Sequence, residues 1–220
     1  EGRDVVARAK TGSGKTAAFA LGVLNSIDSS SASVQALVLC PTRELSNQVT
    51  EEIRRLARKI ANVRVLALCG GTPTGPQVSS LERGVHVVVG TPGRTLKHLL
   101  KGSLLVQSVK MVVVDEADTM LDMGFSEEVE SIFDYLPRKR QTLLFSATYP
   151  DGIANISTRV QDSPVHLDVT DLDTSAEIEE HWSLVQREQR LHRLLDALEH
   201  WAGTLNIVFC NTKLDCAEVT

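Results

Sequence analysis

Short apolar runs recur along the first three quarters of the chain, and most of them lack interspersed polar residues. The runs are residues 4–8, 35–39, 63–68, 85–89, 111–114, 142–145 and 165–167. Such Val- and Leu-rich runs are typical of strands that are buried on both faces of a parallel sheet. Helical patterns lie between them, at residues 16–26, 94–101, 126–136 and 150–160 and within residues 39–63. The alternation predicts an α/β fold, with a mainly parallel sheet flanked by helices.

A polar stretch at residues 168–177 interrupts this pattern and predicts a linker between two domains. Residues 1–167 then form the first domain, and residues 178–220 form the beginning of a second one. In this second part we expect a strand at 178–185, a helix carrying several leucines, and a strand at 205–210. Trp182 and Trp201 are expected to pack in the core of this domain.

Composition limits the possible functions. The 220 residues are 42% hydrophobic and 23% charged, as in an ordinary folded domain, and the formal net charge is −5. Nucleic-acid binding would therefore need a local basic patch. No apolar run approaches the roughly 18 residues of a membrane helix. None of the cysteines, which are Cys40, Cys69, Cys210 and Cys216, belongs to a C-x-x-C pair, so we expect buried, reduced thiols in a cytoplasmic protein.

A glycine-rich loop follows the first apolar run and precedes a helical pattern. It consists of Ala9, Lys10, Thr11, Gly12, Ser13, Gly14, Lys15 and Thr16. Gly12 and Gly14 allow backbone amides to turn towards phosphate oxygens, and the following helix directs its positive end at the same anion. Lys15 supplies a cation for the β- and γ-phosphates, and Thr16 offers a hydroxyl to Mg²⁺. The alternative is a glycine-rich turn that only caps a helix.

Three carboxylates follow the apolar run at residues 111–114. Ligand sites in parallel sheets lie beyond the carboxyl ends of strands, where these residues fall. We assign Asp115 to Mg²⁺ and Glu116 to the base that orients and deprotonates the attacking water. Asp118 is better placed to bond a neighbouring loop. The alternative is a solvated acidic helix start.

Taken together, these motifs resemble the DEAD-box RNA helicases, whose name spells out residues 115–118. Further similar motifs occur in the family's order: residues 41–45, 70–71, 91–94, 146–148 and 207–212. The resemblance implies two RecA-like domains, ATP and Mg²⁺ as cofactors, and RNA as partner. The implied RNA-binding residues are Pro41, Thr42, Arg43, Gly70, Gly71, Thr91, Pro92, Gly93 and Arg94. The residues implied to couple nucleotide state to domain closure are Asp118, Ser146, Ala147 and Thr148.

Purely structural roles are the alternatives for several of these side chains. Arg43 could form a salt bridge with Glu44, and Arg94 could be an ordinary surface arginine. Ser146 and Thr148 could serve a helix cap or a turn.

The expected activity is RNA-stimulated ATP hydrolysis coupled to local unwinding of an RNA duplex. There are two alternatives: an ATP-gated RNA clamp, and an unrelated P-loop motor that acts on DNA. Residues 37–45, 68–71 and 208–213 resemble a bacterial member that acts on large-subunit ribosomal RNA. We therefore expect ribosomal RNA as substrate and a monomer as the active form. Further motifs of the family are expected before residue 1 and after Thr220, so residues 1–220 alone should show little activity.

Overall fold

A computed structural model describes residues 2–10, 12–169, 179–201, 203 and 205–220. Thr11 and most of the expected linker, residues 170–177, lie outside the described residues. The chain divides into two compact units, residues 1–174 and residues 175–220.

The first unit contains a seven-stranded sheet whose strands coincide with the seven apolar runs. The strands are β1 (Val5–Arg8), β2 (Ala36–Leu39), β3 (Val65–Leu68), β4 (Val87–Gly90), β5 (Met111–Val114), β6 (Gln141–Ser146) and β7 (Val165–Asp168). Their order is β3-β4-β2-β5-β6-β1-β7, and all of the adjacent pairs are parallel. The predicted α/β class with a parallel sheet is confirmed.

Helices connect the strands and cover the sheet. They are α1 (Lys15–Ser26), α2 (Arg43–Leu56, continued by a 3₁₀ turn at Ala57–Lys59), α3 (Thr74–Glu82), α4 (Pro92–Leu100), α5 (Ala117–Asp122), α6 (Ser126–Tyr135) and α7 (Asp151–Val160). The sequence pattern did not predict α3 or α5. Gly75 and Pro76 obscure α3, although the first turn of a helix tolerates proline because its N–H groups have no partner within the helix. Six residues are too few to give α5 a recognisable period.

The hydrophobic core lies on both faces of the sheet, as runs without polar alternation require. In β2, Ala36 and Val38 belong to one buried cluster, whereas Leu37 and Leu39 belong to the other. Successive strand residues point to opposite faces, so both faces must be covered by helices.

Where the structure describes the second unit, it forms helices α8 (Arg190–His200) and α9 (Lys213–Val219) and a 3₁₀ turn at Arg187–Gln189. Within the described residues 179–185 and 205–210 no strand is formed, so the two strand predictions are wrong there. A strand requires a hydrogen-bonded neighbour, and an apolar run alone cannot supply one. Trp182 is 90% exposed and Trp201 is 50% exposed, so the expected core packing is also wrong.

Two further expectations concern cysteines and membranes. All four cysteines are free; Cys40 and Cys69 are buried as expected, whereas Cys210 is only partly buried and Cys216 is exposed. Of the helices in the described ranges, none is both long and apolar enough to cross a membrane.

Candidate active site and nucleic-acid interface

The candidate residues of the first unit gather at one edge of the sheet, because parallel strands present their carboxyl ends together. The strand order divides this edge into two halves. On one half, β3, β4 and β2 are followed by residues 70–71, 91–94 and 41–43. On the other half, β5, β6 and β1 lead into residues 115–118, 146–148 and 9–16. The two groups of motifs implied by the resemblance are therefore separated in space.

The loop after β1 has the backbone of a phosphate cradle. Gly12 and Gly14 have φ values of 88° and 86°, a left-handed conformation that favours glycine. Gly14 is also the N-cap of α1 and supplies no side chain, so the first amides of the helix have no side-chain acceptor from the cap. The Lys15 ammonium donates a hydrogen bond of 2.7 Å to the carbonyl of Ala9, which keeps it over the loop. Ala9 itself is anchored to β6 by donating from its backbone amide to Ser146 O at 3.0 Å.

Two residues of this loop make other contacts. The Ser13 hydroxyl donates to the carbonyl of Lys10 at 2.8 Å and so closes the loop on itself. Thr16 lies in the first turn of α1 and is partly buried. Thr11 lies outside the described residues.

Asp115 is a buried carboxylate at the end of β5, only 2% exposed. Burial raises its pKa to about 6; the nearby Lys15 charge opposes this rise, and Glu116 adds to it. Strand β6 separates β5 from β1, so the carboxylate and the phosphate loop are about two strand spacings, or roughly 10 Å, apart. That span suits a polyphosphate with a metal ion between the two segments.

Glu116 has a strained backbone. Its φ and ψ are 52° and 54°, so a non-glycine residue adopts the left-handed conformation, which costs about 1–2 kcal/mol. Glu116 is the N-cap of α5, and its backbone amide donates a hydrogen bond of 3.1 Å to Oδ1 of Asp115. Strain of this kind is common at functional sites.

Asp118 connects the segment after β5 to the segment after β6. Its Oδ2 accepts hydrogen bonds from Ala147 N (3.1 Å), Thr148 N (2.8 Å) and Thr148 Oγ1 (2.9 Å). Partial burial alone would raise the pKa of Asp118, but the hydrogen bonds from Thr148 and Thr119 act together against it, and the pKa lies below its ordinary value. The Ser146 hydroxyl lies close enough to contribute to this lowering, yet it is buried and outside hydrogen-bonding geometry.

On the other half of the edge, Thr42 is the N-cap of α2 and accepts from Leu45 N at 3.2 Å, while the preceding Pro41 is buried. The exposed Arg43 packs its guanidinium against Gly71: a Cβ at Gly71 would collide with it. Gly71 has φ +75°, and Gly70 precedes it without steric constraint. Among the described residues Arg43 forms no ion pair with Glu44, so the salt-bridge alternative does not hold in this conformation.

The segment after β4 starts helix α4. Thr91 is its N-cap, Pro92 occupies the first turn and Gly93 is exposed. Arg94 is partly buried, and its Nη1 donates to Thr72 O at 3.0 Å and to Gln77 Oε1 at 2.8 Å. These contacts contradict the alternative of an ordinary surface arginine. Neither Gln77 nor the buried His98, which also contacts Gln77, was a candidate from the sequence, because a lone glutamine or histidine carries no motif.

The residues that follow β5, β6 and β1 fit a nucleoside triphosphate with Mg²⁺. The loop offers helix-terminal amides and an ammonium, which suit phosphate, and Thr16 and Asp115 offer oxygen, which suits Mg²⁺. In the described part of the chain no group of three or more His, Cys, Asp or Glu side chains lies close enough together to hold a metal ion by itself. A Mg²⁺ ion held by Thr16 and Asp115 would take its remaining ligands from phosphate and water.

Comparison with known proteins agrees with this geometry. The family model described as "DEAD/DEAH box helicase" matches residues 1–156. Over 218 residues the chain is 49% identical to the ATP-dependent RNA helicase DbpA of Escherichia coli strain K12, covering 99% of this chain and 48% of that protein. Over 214 residues it is 42% identical to the DEAD-box ATP-dependent RNA helicase CshA of Bacillus cereus strain ATCC 10987, covering 97% and 41%. The chain thus spans about half the length of the curated relatives it matches.

A solved structure gives the same answer for the fold. The crystal structure of a DEAD box protein from the hyperthermophile Methanococcus jannaschii matches with a TM-score of 0.74 and 36% identity, over 99% of this chain and 58% of that one. The parallel sheet with flanking helices is therefore a RecA-like helicase fold. Since the family model covers well over half of the residues, this chain belongs to the DEAD/DEAH box helicase family.

Proposed function

We propose that this chain is the ATP-binding part of an ATP-dependent RNA helicase. The observation that supports it best is the division of the sheet edge: phosphate-binding and acidic segments lie on one half, and arginine- and glycine-containing loops lie on the other. In this proposal residues 1–167 are the first RecA-like domain, residues 168–177 are the linker, and residues 178–220 begin the second domain.

On the nucleotide half, the residues have separate tasks. Lys15 and the amides of residues 9–16 bind the phosphates, and Thr16 and Asp115 hold Mg²⁺, directly or through water. When Mg²⁺ is bound, its charge would favour the carboxylate form of Asp115. Glu116, the neighbour of Asp115 in the chain, orients the attacking water and accepts its proton. ATP supplies the phosphoryl group whose hydrolysis drives the cycle.

On the other half, the chemistry suits a sugar–phosphate backbone. Arg43 and Arg94 supply cations, the N-termini of α2 and α4 supply amides, and Gly71 lets the strand come close. These contacts read no base. RNA specificity at this surface would come from 2′-hydroxyls and from the shape of the strand.

Asp118 and residues 146–148 couple ATP hydrolysis to RNA binding. Their hydrogen bonds tie the acidic turn next to the nucleotide to the end of β6. A shift at the acidic turn is therefore transmitted to residues 146–148 rather than absorbed by a loose loop.

For the natural substrate and setting we propose ribosomal RNA, during assembly of the large subunit, and a cytoplasmic monomer. The similarity to DbpA and the resemblance to a bacterial member acting on that RNA support this choice.

The test measures ATP turnover and strand displacement by the natural protein with short RNA duplexes. Glu116→Gln should retain nucleotide binding but lower turnover by about 10²–10⁴-fold, the usual contribution of a general base. Glu127→Gln, an exposed carboxylate in the first turn of α6, is the matched control and should behave as wild type. If the Glu116→Gln variant keeps wild-type turnover, Glu116 is not the general base. ATP-dependent retention of RNA without displacement would favour a clamp, and equal stimulation by DNA would favour a DNA motor.

A further inference from the structure

A buried glutamine joins the loop at residues 69–72, which follows β3, to Arg94 at the start of α4. Gln77, in α3, is only 7% exposed. Its Nε2 donates to Cys69 O (3.2 Å) and Thr72 Oγ1 (3.1 Å), and its Oε1 accepts from Arg94 Nη1 (2.8 Å) and His98 Nε2 (3.0 Å). The amide thereby uses two donors and two acceptor positions, its full capacity. We call these five residues the Gln77 network.

The network fixes the orientation of the amide. Rotating the Gln77 amide by 180° would turn its NH₂ group towards the guanidinium of Arg94, which can only donate. The same logic places a hydrogen on Nε2 of His98, whose Nδ1 faces the Ser103 hydroxyl at 2.8 Å. His98 is 1% exposed, and burial together with the Arg94 charge lowers its pKa, so it remains a neutral partner.

Arg94 is held by neutral acceptors only. Both of its hydrogen bonds use Nη1, to Thr72 O and Gln77 Oε1, and among the described residues no carboxylate pairs with it. Arg55, by contrast, has both Nε and Nη2 on the Glu52 carboxylate. Neutral acceptors orient a guanidinium without cancelling its charge. Nε and Nη2 of Arg94, which make no hydrogen bond within the described ranges, are left for an anion.

From this we infer that Gln77 is a positioning residue that holds Arg94 in its phosphate-binding rotamer and locks it to the loop at residues 69–72. The inference rests on the proposed function, in which Arg94 binds the RNA backbone. An arginine without this support must be immobilised when RNA binds. The cost of ordering one such side chain corresponds to about 2- to 12-fold in affinity.

The experiment is a double-mutant cycle in the natural protein with Gln77→Met and Arg94→Ala. Methionine keeps the length and fills the space of glutamine but makes none of its hydrogen bonds. The readouts are ATP turnover at saturating single-stranded RNA and the RNA concentration for half-maximal stimulation, at several salt concentrations. Gln35→Met is the control: Gln35 is also buried, its Nε2 donates to Asp28 O and Ser31 O, and it precedes β2 at the opposite end of the sheet.

Gln77→Met should raise the half-maximal RNA concentration about 2- to 12-fold and leave turnover at saturating RNA unchanged. In the Arg94→Ala background the same change should have no further effect, and Gln35→Met should change stability only. If Gln77→Met weakens RNA binding equally in both backgrounds, or leaves it unchanged while Arg94→Ala weakens it, the positioning role is wrong. If Arg94→Ala itself leaves RNA affinity and its salt dependence unchanged, the phosphate contact fails, and the positioning role falls with it. Should Gln77→Met lose its circular dichroism spectrum, Gln77→Leu repeats the cycle with a second apolar side chain.

Discussion

Removing the charge of Asp118 should destabilise the first unit, because one oxygen of this side chain accepts three hydrogen bonds. Asp118→Asn keeps the size of the side chain and one acceptor oxygen. If that oxygen faces Ala147 and Thr148, the amide NH₂ faces Thr119 N, which in the wild-type protein donates a hydrogen bond of 3.1 Å to Oδ1 of Asp118. The substitution therefore replaces charge-assisted bonds by neutral ones and sets two donors against each other.

The size of the effect follows from these contacts. A hydrogen bond to a charged group contributes about 1.5–3 kcal/mol, and a neutral one about half as much. The three bonds share one oxygen of a half-buried group that water screens, so they do not add. We expect Asp118→Asn to lower the free energy of unfolding by about 1–2 kcal/mol and the midpoint of thermal unfolding by roughly 3–6 °C.

The pH dependence gives this prediction a second, independent readout. The folded-state pKa of Asp118 is below its ordinary value of about 3.9, so the carboxylate stabilises the fold fully above that value. Its contribution is lost as the pH falls through the lower, folded-state pKa. The stability difference between wild type and Asp118→Asn should thus be constant above about pH 5 and shrink below it. The Asp118 charge is the smallest of the effects that raise the pKa of Asp115, so the titration of Asp115 near pH 6 changes this difference only slightly.

The assay is urea unfolding followed by circular dichroism, repeated across this pH range. Asp122→Asn is the matched control: Asp122 ends the same helix, is exposed, and makes no side-chain hydrogen bond or ion pair within the described ranges. It should change the free energy of unfolding by less than about 0.5 kcal/mol. Equal stability of Asp118→Asn and wild type at neutral pH would refute the reasoning, and so would a difference that grows as the pH falls.

Three glycine substitutions test the geometry elsewhere in the first unit. Gly71→Ala should weaken RNA binding, because the new Cβ displaces the Arg43 guanidinium, and should cost about 1 kcal/mol of stability, because the backbone is left-handed. RNA titration and thermal unfolding measure the two effects, and unchanged RNA affinity would argue against this packing. Gly90→Ala should destabilise by about 2 kcal/mol or more, since its Cβ would collide with the buried Thr95 side chain; wild-type stability in urea would contradict it. Gly22→Ala, in α1 with open space around the new Cβ, should instead stabilise by about 0.4–1 kcal/mol, and a lower unfolding midpoint would show that the helix does not tolerate it.

Local sequence pattern determined most of the first unit. Its seven strands could be predicted because apolar runs such as residues 111–114 leave no polar face for solvent. The phosphate loop and the acidic strand end could be recognised because their chemistry is carried by contiguous residues. The two strands expected after residue 178 were not formed in the described residues, because an apolar run such as residues 205–210 indicates which side chains favour burial but not which strand will pair with them.

The sequence by itself predicted which residues would bear the phosphate, metal and RNA chemistry; the tertiary structure alone decided how these residues are grouped and held. Strand order cannot be read from local pattern, yet the order β3-β4-β2-β5-β6-β1-β7 separates the two halves of the site. The left-handed turn at Glu116 and the contact of Asp118 with Thr148, thirty residues away, likewise depend on neighbouring strands. Gln77 carries no motif, and its importance arises only because folding places four hydrogen-bonding partners around one buried amide.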